Sequence, residues 1–194
     1  MIPSDLLISA YATGWFPMSV EGRIRWFSPD PRGILPLDGL HVSRRLARVL
    51  RRQPFRIEID RAFGQAIRAC AADDRDPADP GSWIDDEIIV SYEALHARGF
   101  AHSVEAWHGD RLVGGLYGVA LRGAFFGESM FHRETDASKV ALVALVERLR
   151  SRGFTLLDTQ WVTPHLEQFG AMEIPKSRYL ERLEQSLARE CSFS

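Results

Sequence analysis

Between Ser103 and Thr159 the hydrophobic pattern changes period in a set order, and that order constrains the fold more than any other feature. Ser103 to Trp107 and Arg111 to Ala120 alternate about a His108-Gly109-Asp110 turn, which predicts a β-hairpin. Ala124 to Met130 reads as a further strand. The period then lengthens: Val140, Val143, Leu145, Val146 and Leu149 recur at helical spacing up to Arg150. Thr135 or Asp136 is the expected cap of that helix, and Gly153 lies just past its end. Phe154 to Thr159 is short and apolar, as a buried strand should be. The chain is therefore expected to be α+β, a mixed sheet flanked by helices.

The flanking sequence fits around this centre. Tyr11, Trp15, Phe16, Pro17, Trp26, Phe27, Pro29, Pro31 and Pro36 crowd the first forty residues, which predicts a short helix, turns and brief extended pieces. Ser43 is the expected N-cap of a helix through Arg52, Arg56 to Asp60 reads as a strand, and Arg61 to Ala71 as a helix. Asp73 to Ser82, with Pro77, Pro80 and Gly81, reads as an exposed loop. Asp85 to Arg98 is an expected helix ending at Gly99, and Tyr179 to Leu187 a last helix. These elements suggest a small N-terminal subdomain over 1–53 and a main domain over 54–194. Hairpin, strand, long helix, strand is also the order of the acyltransferase fold of N-acetyltransferases, an analogy of fold only.

Charge narrows the partners. The net charge of −2 argues against simple coating of nucleic acid, but five arginines and no acid occupy residues 44–52. Arg44, Arg48, Arg51 and Arg52 share one helical face, flanked by Arg45, while Leu46, Val49 and Leu50 point the other way. A solvated face is the plain reading. Yet no acid is interleaved to relieve the repulsion, and a polyanion such as RNA would relieve it. Residues 73–87 carry seven acids against one arginine, so two oppositely charged surfaces are expected. Cys70 and Cys191 form no CxxC pair and no basic, apolar leader opens the sequence, so a reducing cytoplasm is the expected setting. No apolar run nears the roughly 20 residues that span a bilayer. His96, His102 and His108 are spaced unlike metal ligands, and His41, His132 and His165 stand alone, so no metal is expected.

Several stretches, in order, resemble one family. They are Trp26-Phe27-Ser28-Pro29-Asp30-Pro31-Arg32, Ser82-Trp83-Ile84, Gly127-Glu128-Ser129-Met130-Phe131, Asp136-Ala137-Ser138-Lys139, Leu157-Asp158-Thr159-Gln160 and Gly170-Ala171. From about Tyr11 to Leu183 the chain resembles the bacterial leucyl/phenylalanyl-tRNA–protein transferases. The resemblance implies an acetyltransferase-like (GNAT-like) domain that uses no acetyl-coenzyme A. It implies transfer of leucine or phenylalanine, methionine less well, from aminoacyl-tRNA to proteins beginning with arginine or lysine, as an N-degron. It implies catalytic importance for Asp158 and Gln160, acceptor binding by Glu128 and Asp158, and a donor pocket of Leu116, Phe125, Met130, Leu142, Leu145 and Leu157. The family's frequent tryptophan after Phe16-Pro17 is Met18 here, a position tied to the bound tRNA end, and its frequent methionine is Leu116.

The residues themselves leave alternatives open. Asp158 and Gln160, two apart on a strand, should emerge on one face, but Asp158 equally suits ending a strand by bonding turn amides. Glu128 sits among Phe125, Phe126, Met130 and Phe131, where it needs either an arginine partner or a ligand's cation. The six pocket residues are ordinary core types. Tyr11 and Trp83 are candidates to stack the terminal adenosine, with a buried anchor as the duller reading of Trp83. The arginine face would take the tRNA backbone. An aminoacyl ester is already activated, so no cofactor is expected, and a monomer suffices. A coenzyme-A acetyltransferase would want a glycine-rich turn before the long helix; His132-Arg133-Glu134-Thr135-Asp136 has none. A non-enzymatic adaptor for tRNA or basic N-termini is the other alternative.

Overall fold

The computed structural model of the chain describes residues 1–72 and 83–194. The expected loop from Asp73 to Ser82 lies outside the described residues. Helix α1 (Ser4–Ala12) leads into a hairpin of β1 (Phe16–Val20) and β2 (Arg23–Phe27), closed by Glu21 and Gly22 at φ 54° and 70°. Both positive angles belong to the tight turn whose twist suits a hairpin. Then follow β3 (Arg32–Ile34), a short 3-10 turn at Leu37–Gly39, α2 (Arg44–Arg52), β4 (Arg56–Ile59), α3 (Phe63–Ala72) and α4 (Asp86–Ala97). The predicted hairpin is β5 (Ala101–His108) and β6 (Arg111–Leu121), followed by β7 (Ala124–His132), α5 (Ala137–Ser151) and β8 (Leu156–Gln160). A short α6 (Pro164–Glu167), β9 (Met172–Ile174) and α7 (Lys176–Leu187) complete the chain.

Seven strands form one mixed sheet in the order β4-β5-β6-β7-β8-β3-β9, in which β7 and β8 run parallel and the other pairs antiparallel. One face packs on α1, α3, α4 and α7 through Tyr11, Ile67, Tyr92 and Tyr179. The other packs on α5 and α2 through Val146, Leu149 and Leu46. Each fully buried side chain of this size contributes about 1.5–3 kcal/mol. Because β3 lies inside the large sheet and Leu46 of α2 shares a core with α5, the sheet threads through the division expected near residue 53. Among the described residues no helix is long and apolar enough to cross a membrane.

Side-chain caps start α2 and α4 but not α5. Ser43 Oγ accepts the Leu46 amide at 3.2 Å, and Asp85 accepts the Ile88 amide at 2.9 Å. Asp136 does precede α5, but at φ 67° its carboxylate does not cap the helix. It pairs instead with Arg45 at 3.3 Å and Lys139 at 3.7 Å.

Candidate active site

The parallel strands β7 and β8 pair only from Ala124–Leu156 to Phe126–Asp158, although both continue further. Past that point they part, and a cavity of about 610 Å³ opens in the wedge between them. Each wall carries an extra residue. Tyr117 pairs with Ser129 and Gly118 with Gly127, which leaves Glu128 as a bulge on β7. Gly33 pairs with Gln160 and Ile34 with Asp158, which leaves Thr159 as a bulge on β8. Bulges re-aim side chains, and here they turn Glu128 and Thr159 onto the cavity wall. The close passage of β3 depends on glycine: a Cβ on Gly33 would stand 2.6 Å from the carbonyl carbon of Trp161.

Asp158 and Gln160 reach toward one face of the sheet: Asp158 meets Tyr179, and Gln160 meets the Glu128 carboxyl that Tyr11 and Tyr92 hold. Leu157 and Thr159 line the cavity, while Asp158 lies behind it against Arg32 and Tyr179. Gln160 adopts φ 56°, and the Trp161 amide donates to the Thr159 carbonyl at 2.6 Å across it. That three-residue turn swings the Gln160 side chain back to the cavity.

Asp158 has no exposed surface and every acceptor position is occupied. Arg32 donates to it twice, Nε to Oδ1 at 3.0 Å and a terminal nitrogen to Oδ2 at 2.6 Å. The Tyr179 hydroxyl donates to Oδ2 at 2.7 Å and the Gln160 amide to Oδ1 at 2.8 Å. Arg32 is itself fully buried, donates to the Gly14 carbonyl at 2.9 Å, and lies between the rings of Tyr179 and Phe16. Burial, then the Asp158 charge, raises the Tyr179 phenol well above its ordinary value, so it remains a donor. Asp158 thus meets Gln160 through the Gln160 backbone amide, and no part of its carboxylate is exposed. The carboxylate holds a turn amide, the alternative that its residue type left open.

Glu128 occupies the cavity instead. Tyr11 donates to its Oε1 at 2.7 Å, the Gln160 side-chain amide donates to the same oxygen at 3.3 Å, and Tyr92 reaches Oε2 at 3.4 Å. The Tyr11 and Tyr92 hydroxyls also contact each other. Among the described residues no arginine pairs with Glu128. Burial pushes this carboxyl up to about 8, with the Asp158 charge adding to the rise and the Tyr11 hydrogen bond and Arg32 charge opposing it.

The other expected residues divide. Leu116, Met130, Leu142, Leu145 and Leu157 line the cavity, and so do Met18 and Trp83. Phe125 does not: it is fully buried behind the wall and stacks on Phe193 at 5.2 Å. Tyr11 is fully buried with its ring on Phe126 at 4.9 Å, so it cannot stack a base; its hydroxyl orients Glu128. Arg44, Arg48, Arg51 and Arg52 are exposed and, among the described residues, form no ion pair, while Arg45 pairs with Asp136. Arg32, Tyr92, Tyr179 and Trp161 belong to the site or its support and were not foreseen. Arg32 alone carried a signal, as the last residue of the Trp26-to-Arg32 stretch.

A hydrophobic slot that ends on a carboxyl and a carboxamide suits an acyl chain whose carbonyl reacts at the polar end, the layout of an acyl-transferring enzyme. Comparison with known proteins specifies which. The chain belongs to the leucyl/phenylalanyl-tRNA protein transferase family: that family's model matches residues 34–184, and the model of its N-terminal domain matches residues 2–30. A leucyl/phenylalanyl-tRNA–protein transferase of Herpetosiphon aurantiacus is 54% identical over 190 residues, covering 97% of this chain and 96% of the relative. Those of Gloeobacter violaceus and Rubrobacter xylanophilus are each 54% identical over 192 residues, with 96% and 97% of their lengths covered and 97% and 98% of this chain. Among solved structures, L-PGS from Bacillus licheniformis superposes at a TM-score of 0.45 and 12% identity, over 84% of this chain and 55% of that one.

Proposed function

We propose that the chain transfers leucine or phenylalanine, and methionine less well, from aminoacyl-tRNA to the N-terminal arginine or lysine of acceptor proteins, marking them for the N-degron machinery of the bacterial cytoplasm. The observation that carries this reading is the leucine-lined slot closed at its polar end by Glu128 and Gln160, 3.3 Å apart. The donor side chain enters between Leu116, Met130, Leu142, Leu145 and Leu157, which places the ester carbonyl beside Gln160. The amine nitrogen then attacks the ester carbon, a peptide bond forms, and the ribose oxygen of the tRNA leaves and takes a proton. Because the ester is already activated, holding the two substrates together supplies most of the acceleration.

Glu128 is the proton acceptor in this scheme. An α-ammonium has a pKa near 8, about that of the Glu128 carboxyl. One proton shared between them moves at little cost, and the neutral amine is left beside the ester. Gln160 donates to Glu128 through its amide nitrogen, which leaves its amide oxygen to accept from the attacking amine. Asp158, with Arg32 and Tyr179, positions Gln160 from behind.

The arginines of α2, exposed and without an ion pair among the described residues except for Arg45, support a tRNA-backbone role for Arg44, Arg48, Arg51 and Arg52, with Arg45 beside them. The β5–β6 hairpin followed by β7, α5 and a parallel β8 supports the acetyltransferase-like reading of the sheet. We retain the division near residue 53 only as a functional one, with the basic helix on its N-terminal side. The test is incubation with labelled Leu-tRNA or Phe-tRNA and a peptide beginning with arginine, without ATP or acetyl-coenzyme A. Transfer is expected. Binding without transfer would leave only an adaptor.

A further inference from the structure

We infer that Arg23 and Arg25 of the β1–β2 hairpin hold the phosphates of the unpaired nucleotides that lead to the donor ester; this rests on the transfer reaction proposed above. The hairpin pairs Phe16 with Phe27, Met18 with Arg25 and Val20 with Arg23. Side chains directly opposite in an antiparallel pair share one face, with Cβ atoms about 4.5–5.5 Å apart. Phe16 and Met18 line the cavity, so Arg25 stands beside its mouth, and Arg23 follows about 6.8 Å farther along the strand. The alternate residues Ile24 and Trp26 pack against the core, and the Ser19 amide donates to the Trp83 carbonyl at 3.1 Å, which fastens the hairpin to the cavity wall. Both arginines are exposed, and among the described residues neither forms an ion pair. Two guanidinium groups at strand spacing on a held face can follow a phosphodiester chain, each forking onto one anion.

Charge and position select the donor over the acceptor peptide. An acceptor beginning with arginine or lysine is cationic at its end, and these arginines repel it. The donor must place its ester carbonyl at Gln160, and from there it leaves the mouth as a chain with a negative charge on every link. The α2 arginines do not serve this stretch. Leu46 of α2 shares a core with α5 on one side of the sheet, whereas Phe16, Met18 and Trp26 of the hairpin pack with α1 and α4 on the other. Among the described residues, none of α2 lines the cavity, while Phe16 and Met18 of the hairpin do. The two basic surfaces are separate, and the hairpin is the one that reaches the mouth.

The experiment titrates two amide-linked probes by calorimetry over a range of salt: phenylalanyl-adenosine, which carries no phosphate, and the same amide on the trinucleotide CpCpA, which carries two. Transfer from Phe-tRNA to an Arg-initiated peptide is assayed alongside. Wild type should bind the trinucleotide about tenfold more tightly, with a logarithmic salt slope steeper by about 1.4, from roughly 0.7 per single-strand phosphate. R23A and R25A should each remove about half of that extra slope, and the double variant nearly all of it. R23K/R25K should keep most of it, and phenylalanyl-adenosine should bind every variant as it binds wild type. Equal slopes for the two probes in wild type, or the full extra slope in the double variant, overturn the contact and leave the hairpin solvated. So does equal weakening of both probes, or an effect confined to the acceptor KM, which would assign the arginines to the slot or to the peptide. Absence of transfer with the extra slope present in wild type and lost in the double variant refutes the reaction but not the contact; transfer with the extra slope retained refutes only the contact.

Discussion

Replacing Arg32 with methionine removes two hydrogen bonds to Asp158, one to Gly14 and one to Tyr179, and leaves a carboxylate with no exposed surface beside only Tyr179 and the Gln160 amide. Breaking a buried ion pair by deleting one partner costs about 3–5 kcal/mol, because the remaining charge is uncompensated. For a chain of this size each kcal/mol lowers Tm by roughly 2–4 °C, so a fall on the order of 6–20 °C is expected in a thermal melt. Asp158→Asn alone strands the guanidinium and should cost a comparable amount. The double variant should lose well short of the sum, since neither charge is then left behind. Urea titrations of the four proteins give the coupling energy directly. Single losses within about 1 kcal/mol of wild type, or additivity within about 0.5 kcal/mol, would refute the claim that these residues act as one buried unit.

Three further outcomes follow from the same geometry. Between the ordinary carboxylate value and about 8 the unfolded chain releases the Glu128 proton and the folded chain keeps it, so this group makes stability fall as pH rises through that window. Glu128→Gln should flatten that slope in melts taken from pH 5 to 8.5, and should abolish a basic-side rise in kcat/KM near 8; an unchanged rate profile would remove Glu128 as proton acceptor. Arg48→Ala should weaken tRNA binding and make its logarithmic salt slope shallower by about 1, without altering turnover of phenylalanyl-adenosine; an identical slope would mean that the α2 face is merely solvated. Gly33→Ala places a Cβ 2.6 Å from the Trp161 carbonyl carbon, so kcat should drop more than tenfold while donor binding in the apolar slot persists; near wild-type turnover would show that the turn tolerates displacement.

Legibility in the sequence followed the range of the interaction. The hairpin, β7, α5 and β8 were readable because hydrophobic period is local, and Ser43 and Asp85 because capping acts over three residues. The short β3 and β9 were not, since three-residue strands owe their existence to neighbours far along the chain. The leucines of the slot were readable as apolar, but both Phe125 and Leu116 are core types, and only the structure sets one behind the wall and the other on it. Tyr11, Tyr92 and Glu128 meet across 117 and 36 residues of sequence, beyond any local pattern. The bulge at Thr159 and the turn at Gln160 were not readable, because both depend on pairing with the distant β3.

The turn at Gln160 shows why a buried ion pair stands behind the cavity. A non-glycine residue held at positive φ costs on the order of 1–3 kcal/mol, and Gln160 is held there at 56°. One hydrogen bond from its amide to a charged carboxylate returns about 1.5–3 kcal/mol, enough to offset the strain but only while Asp158 stays ionised and fixed. Burying that carboxylate without Arg32 would cost more than the turn gains. The guanidinium, clamped between Phe16 and Tyr179, is therefore what allows the chain to point a glutamine away from its strand and into the wedge. On this argument the Arg32–Asp158 pair sets a conformation more than it adds net stability, and a neutral pair of equal volume should fold well yet turn over poorly.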